Sequence, residues 1–172
     1  PGNTTDIIPR TELYKQALAT GRINITLCNM HGSCTCYVVN PYGWTNGADC
    51  DTAAARTDSL MYAAIEALKV LPPLPTIIVG DLNAPLHRLP SVMELINNGW
   101  RDVGHNAFVW GRTPDLPTCE ATNCTNPPTR RDYIIANPSF TPMILDFNIH
   151  WHDEYAVHAG TQVLFRPLGT NI

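Results

Sequence analysis

Lysine is nearly absent from this chain. Lys15 and Lys69 are the only two in 172 residues, and the formal net charge is −4. A chain so poor in cations lacks a broad surface for gripping a polyanion. The other nine of its 11 basic residues are arginines, two of them adjacent at Arg130 and Arg131. Any phosphate recognition must therefore be local, built on a focused arginine cluster or a bound cation. No apolar run approaches the roughly 20 residues that span a bilayer, so no membrane partner is expected. No CxxC pair occurs either. The six cysteines are Cys28, Cys34, Cys36, Cys50, Cys119 and Cys124, a poor match to a structural zinc site. Free buried thiols are the simpler reading, and a Cys119–Cys124 disulfide across a loop stays open. The first residue is Pro1, not methionine, and repeats and low-complexity tracts are lacking.

What is present is a globular composition, 44% hydrophobic and 15% charged, and a length suited to one domain over residues 1–172. A short helix is expected near Thr11–Ala19. Arg22–Cys28 and Thr35–Asn40 read as strands, joined by a turn at His31-Gly32-Ser33. Thr52–Val70 is the clearest helix: Thr52 can cap it, and Leu60, Met61, Ala64, Ile65 and Leu68 form one apolar stripe. Pro72, Pro73 and Pro75 end it. The short apolar run Thr76–Val79 suits a strand covered on both faces. Ser91-Val92-Met93-Glu94 has the pattern of a capping box, with Gly99 placed to close the helix. Ala107–Trp110, Asp132–Ala136, Met143–Ile149 and Gln162–Phe165 read as further strands, and Pro114–Pro128 as a surface loop. Hairpins combined with a helical crossover predict an α/β fold with a mixed sheet.

The chemistry gathers after the buried strand, in "TIIVGDLNAP" (Thr76–Pro85). On an extended chain residues i and i+2 face the same way, so Asp81 and Asn83 would project together. Gly80 would allow a sharp turn or the close approach of a ligand. An anionic acceptor beside an amide donor suits a phosphodiester: one orients or deprotonates water, the other bonds a phosphoryl oxygen. The plainer alternative is an Asx turn, with Asp81 bonding its own backbone.

Three other stretches bear on that choice. "NPYGWTNG" (Asn40–Gly47) precedes the long helix, "RRDYIIAN" (Arg130–Asn137) opens a strand with Asp132, and "AVHAGTQVLF" (Ala156–Phe165) places His158 before the last strand. With "GDLN", and with Thr118 ahead of the Asp132 strand, the chain resembles the endonuclease/exonuclease/phosphatase superfamily over roughly Gly21 to Phe165. That resemblance implies a DNase I-like α/β sandwich, incomplete at its N-terminus. It implies that Tyr42 contacts the scissile phosphate, Asp81 orients or deprotonates water, and Asn83 serves a phosphate oxygen or that water. His158, held by Asp132, would stabilise charge on the phosphoryl oxygens. Trp44, Asn46 and Arg131 would contact substrate. Asp81 and Asn83 would help to hold Mg²⁺ or Mn²⁺. The implied substrate is DNA or another phosphodiester, in an intracellular setting, with fusion to a reverse transcriptase in a longer protein.

Two departures keep a second reading open. The acid that precedes the terminal histidine in the motif is Val157 here, with Asp153 and Glu154 the nearest replacements. The metal-binding glutamate of the superfamily's early strands has no counterpart; Glu12, in "RTELYK", follows no apolar strand. The alternative is a catalytically inactive remnant that binds phosphate, nucleic acid or a protein. Elsewhere, His150 and His152 share a strand face, Trp100 suits the core, and the four methionines suit gap filling.

Overall fold

A computed structural model of the chain describes residues 15, 19–30, 34–45, 49–120, 127–152 and 157–167. Strands β1 (Ile23–Met30) and β2 (Cys34–Pro41) form an antiparallel pair. β2 then pairs in parallel with β3 (Thr76–Asp81). Parallel neighbours need a long crossover, and helix α1 (Cys50–Val70) supplies it. β5 (Asp132–Ala136) runs antiparallel to β3 and also carries the short β4 (Arg101–Asp102), giving a five-stranded mixed sheet in the order β1-β2-β3-β5-β4. β6 (Ile144–His150) and β7 (Gly160–Phe165) form a separate antiparallel pair. This is the mixed α/β architecture the sequence predicts.

The apolar runs divide between two faces by simple alternation. On β3 and β5, Ile78, Tyr133 and Ile135 join a core under α1 and helix α2 (Pro90–Asn97), with Met61, Ala64 and Val92. Their neighbours Ile77, Ile134 and Ala136 join a second core with Phe140, Met143 and Phe147. A run without polar interruptions thus serves a strand buried on both sides.

Several local expectations change. α1 begins at Cys50, and its cap is Asp49, not Thr52: the Asp49 side chain accepts from the backbone N–H groups of Asp51 and Thr52. Ser91 forms no capping box. Pro90 begins α2, and the Ser91 hydroxyl donates to Asp58 Oδ1 of α1 at 2.6 Å, tying the helices together. Gly99 does follow the helix end, with φ +95°. Ala107–Trp110 is a 3₁₀ turn and not a strand, with Phe108 and Val109 exposed. Cys28, Cys36, Cys50 and Cys119 are free thiols. Trp100 packs against the helix-side core, and Met30, Met61 and Met143 are buried. The turn at 31–33, most of the 11–19 segment and Cys124 lie outside the described residues. Among the described residues no helix is long and apolar enough to cross a membrane.

Candidate catalytic site

The antiparallel register of β3 and β5 puts Asp81 directly opposite Asp132. Directly opposed residues of two strands lie about 5 Å apart at Cβ, so the two carboxylates are neighbours by construction. Buried Thr118 fixes the entry to β5: its hydroxyl accepts the backbone N–H groups of both Arg131 and Asp132, each at 3.0 Å. Cys119 then bridges to Thr129 on one side and to His158 on the other. Backbone bonds from Ala159 to Thr118 and from Glu120 to Val157 complete this ladder. His158 is therefore placed by main-chain pairing, within reach of residues 26 and 77 positions earlier.

His158 Nδ1 donates to Asp132 Oδ2 at 2.8 Å, and its Nε2 stands 3.8 Å from Asp81 Oδ2. Potential ligand atoms of the three residues lie within 4.8 Å of one another. Asp81 Oδ1 accepts the Asn83 backbone N–H at 2.8 Å, and Asn83 has φ +52°. The Asx turn thus forms, and the expected joint projection from an extended chain is corrected: the left-handed turn brings the Asn83 backbone N–H back to Asp81, while its side chain is tied to Gly43. Its Nδ2 donates to Gly43 O at 2.9 Å, which leaves Oδ1 as the amide's remaining acceptor. Burial raises the Asp81 pKa, and the negative Asp132 opposite adds to this; the Asn83 N–H, His158 and Arg131 pull the other way. Burial also raises the Cys119 thiol, as do Asp81 and Asp132.

The loop after β2 is laced to this cluster. Gly43 N donates to Asp81 O at 2.8 Å, and a side chain at Gly43 would collide with the Leu82 backbone. Gly80 has a similar cause. A Cβ there would strike the Pro41 carbonyl, so the approach it permits is that of the chain's own backbone. Tyr42 is 48% exposed, and no hydrogen bond joins its hydroxyl to the carboxylates among the described residues. Trp44 is half-buried against the helix-side core. Arg22 was not foreseen: its guanidinium covers the Tyr42 ring at 5.2 Å and the Trp44 ring at 4.5 Å, and donates to Gly43 O at 3.0 Å. Its only sequence signal is its place just before β1.

Arg130 and Arg131 differ sharply. Arg130 is bound to Asp102, bonds Asp115 at 3.0 Å and stacks on Tyr133 at 4.7 Å. Arg131 makes one side-chain bond among the described residues, from Nε to Thr129 Oγ1 at 3.2 Å. His150 bonds Gln162 on the exposed face of β6–β7 and belongs to no metal-ligand group among the described residues. Asn46, Glu12, Asp153 and Glu154 lie outside the described residues.

The donor set suits a hard divalent cation. Two carboxylates face each other beside one imidazole, and the Asn83 amide oxygen adds a further hard acceptor close to Asp81 in the chain. Mg²⁺ commonly takes one or two carboxylates and fills its other positions with water and phosphate oxygens.

The Endonuclease/Exonuclease/phosphatase family profile matches residues 6–143. No curated protein matches the chain in sequence. Among solved structures, the Xenopus laevis APE2 catalytic domain superposes with TM-score 0.65 at 19% identity, covering 95% of this chain and 60% of that one. The AP endonuclease LMAP from Leishmania major gives 0.63 at 15% identity, with 86% and 55% covered. The endonuclease domain of TRAS1, a telomere-specific non-LTR retrotransposon, gives 0.60 at 16% identity, with 86% and 64% covered. The chain thus spans little more than half the length of these structures.

Proposed function

Because the chain belongs to the endonuclease/exonuclease/phosphatase family, we propose that it serves the hydrolysis of phosphodiester bonds, with DNA as substrate. The observation that carries the reading is the Asp81–His158–Asp132 cluster, two opposed carboxylates bridged by an imidazole. Water attacks phosphorus in line with the leaving oxygen. Asp81 orients that water and accepts its proton, and a carboxylate raised by burial is a better base than an exposed one. Asp132 fixes the His158 ring by taking its Nδ1–H. The protonated ring then directs its Nε2–H at the charge growing on a phosphoryl oxygen. Tyr42 contacts the scissile phosphate from the loop tied to Asp81 through Gly43, and Trp44 flanks it. Asp81 and Asn83 Oδ1 would hold the divalent metal. When bound, Mg²⁺ or Mn²⁺ neutralises the phosphate and the departing oxygen.

The test is nicking of supercoiled or abasic DNA with added Mg²⁺. Turnover that stops with chelator, with Asp81→Ala and with His158→Ala supports the reading. Binding of DNA without turnover at any metal concentration favours the inactive remnant, which Val157 supports: its side chain neither binds metal nor accepts a proton. A phosphate ester other than DNA as the better substrate would move the reading within the family, whose core serves many phosphate esters. A retroelement setting with a fused reverse transcriptase belongs to this proposal too, supported by the likeness to the TRAS1 domain.

A further inference from the structure

Arg131 is a half-buried guanidinium with no ion pair among the described residues. Its charge reaches Asp81 only at longer range, pulling that carboxyl's pKa down against the larger effect of burial, whereas its neighbour Arg130 is held directly by Asp102 and Asp115. Arg131 instead faces a cavity of about 140 Å³ whose wall also includes Asn83, Ala84, Pro85, Arg88 and Ala54. The second cation there, Arg88, pairs with exposed Asp51 at 2.7 Å. A phosphate can share or displace such a solvent-facing partner. The start of α1 lies alongside, but Asp49 already caps its first N–H groups, so the attraction comes from the two arginines. Asn83 is common to this cavity and to the candidate catalytic cluster, which makes the two spaces adjacent.

We infer that Arg88 and Arg131 form a second phosphate subsite, holding the phosphate next to the scissile one on the same nucleic-acid strand. The inference rests on the proposed function and deepens it. The site then reads a chain of phosphates and not an isolated ester. A planar guanidinium fork suits a phosphodiester oxygen pair, and the subsite concentrates cationic charge in a protein that otherwise carries net negative charge.

The test measures binding of a fluorescent DNA duplex over a range of KCl, with every variant in a His158→Ala background so that cleavage does not intrude. Removing one cation that neutralises a phosphate should lower the slope of log Kd against log salt by about one. Arg131→Ala and Arg88→Ala should each do so and weaken low-salt binding about tenfold. Arg131→Lys should keep the slope while losing part of the affinity, and its thermal unfolding reports whether the site still folds. Arg101→Ala, on β4 at the other end of β5, should leave the slope in place. An unaltered slope in Arg131→Ala overturns the subsite. So does an equal drop in Arg101→Ala, which would mean a general charge effect, or a parent that binds no DNA. If the slopes fall as expected but the intact chain never nicks DNA, the subsite stands and the hydrolase reading fails.

Discussion

The two ends of β3 are built on opposite principles. At its start, Asn137 uses both ends of its amide to tie the chain. Its Oδ1 accepts from the backbone N–H groups of Thr76 and Phe140 at 2.9 Å, and its Nδ2 donates to Leu74 O at 3.0 Å. At its finish, Asp81 faces a second carboxylate, and His158 Nε2 stands at 3.8 Å. One end uses its polar groups to hold the chain together. The other keeps carboxylate and imidazole atoms available, at an energetic cost.

The sharpest way to break the comparison is to remove the open end. Asp81→Asn, which keeps the acceptor for the Asn83 N–H, or His158→Ala should lower DNA nicking by about 10²–10⁴-fold, the usual worth of a general acid or base, while thermal unfolding moves little. A comparable loss of fold would make the cluster structural. The converse belongs to Asn137→Ala, which takes the side-chain acceptor from the Thr76 backbone N–H, while Phe140 N–H keeps the Asn137 carbonyl and Leu74 O keeps the Thr76 hydroxyl. It should cost about 1–3 kcal/mol in urea unfolding, and nicking by the fraction still folded should persist. Thr118→Val tests the join between the two regimes. Its buried hydroxyl serves two N–H groups at the entry to β5, so a loss of about 1–3 kcal/mol is expected. Activity should drop with it, because the backbone of residues 118–120 pairs with the segment that carries His158.

The smallest effect has the opposite sign. Burial raises the Asp81 pKa in the fold above its ordinary value of 3.8, so the folded state holds that proton more tightly than the unfolded state. The stability linked to it is fully present below the unfolded value and is lost as pH rises through the folded one. Asp81→Asn keeps Oδ1 as acceptor for Asn83 and removes the ionisation. It should therefore be somewhat more stable than the parent at neutral pH, and the gap should close on acidification towards pH 3.8, read from urea midpoints across pH. Equal stability at every pH would show that burial costs this carboxylate nothing.

Much of the closed architecture was legible in the residues. The stripe from Leu60 to Leu68 and the prolines after it framed α1, and the wholly apolar runs of β3 and β5 marked strands covered twice. Errors came where local propensity met a tertiary competitor. Ser91 has the look of a cap, yet Asp58 on another helix takes its hydroxyl. Ala107–Trp110 is apolar enough for a strand, yet it pairs with no strand among the described residues and coils into a 3₁₀ turn. The motifs singled out Asp81, Asp132 and His158, but nothing in their spacing gives a 2.8 Å approach between residues 132 and 158. Arg22 and Arg88 were missed because their partners, the Tyr42 and Trp44 rings and Asp51, lie far from them in sequence.

By itself, then, the sequence determined the elements and the cast of reactive groups, since periodicity and side-chain chemistry are properties of the chain at short range. Only the tertiary structure decided which of two adjacent arginines is ion-paired to carboxylates and which, among the described residues, is not. It also decided that an asparagine turns left-handed to rejoin its aspartate. Those outcomes depend on strand register and on the backbone ladder between residues 118–120 and 157–159, which bring distant segments within hydrogen-bond range and assign each charge its partner.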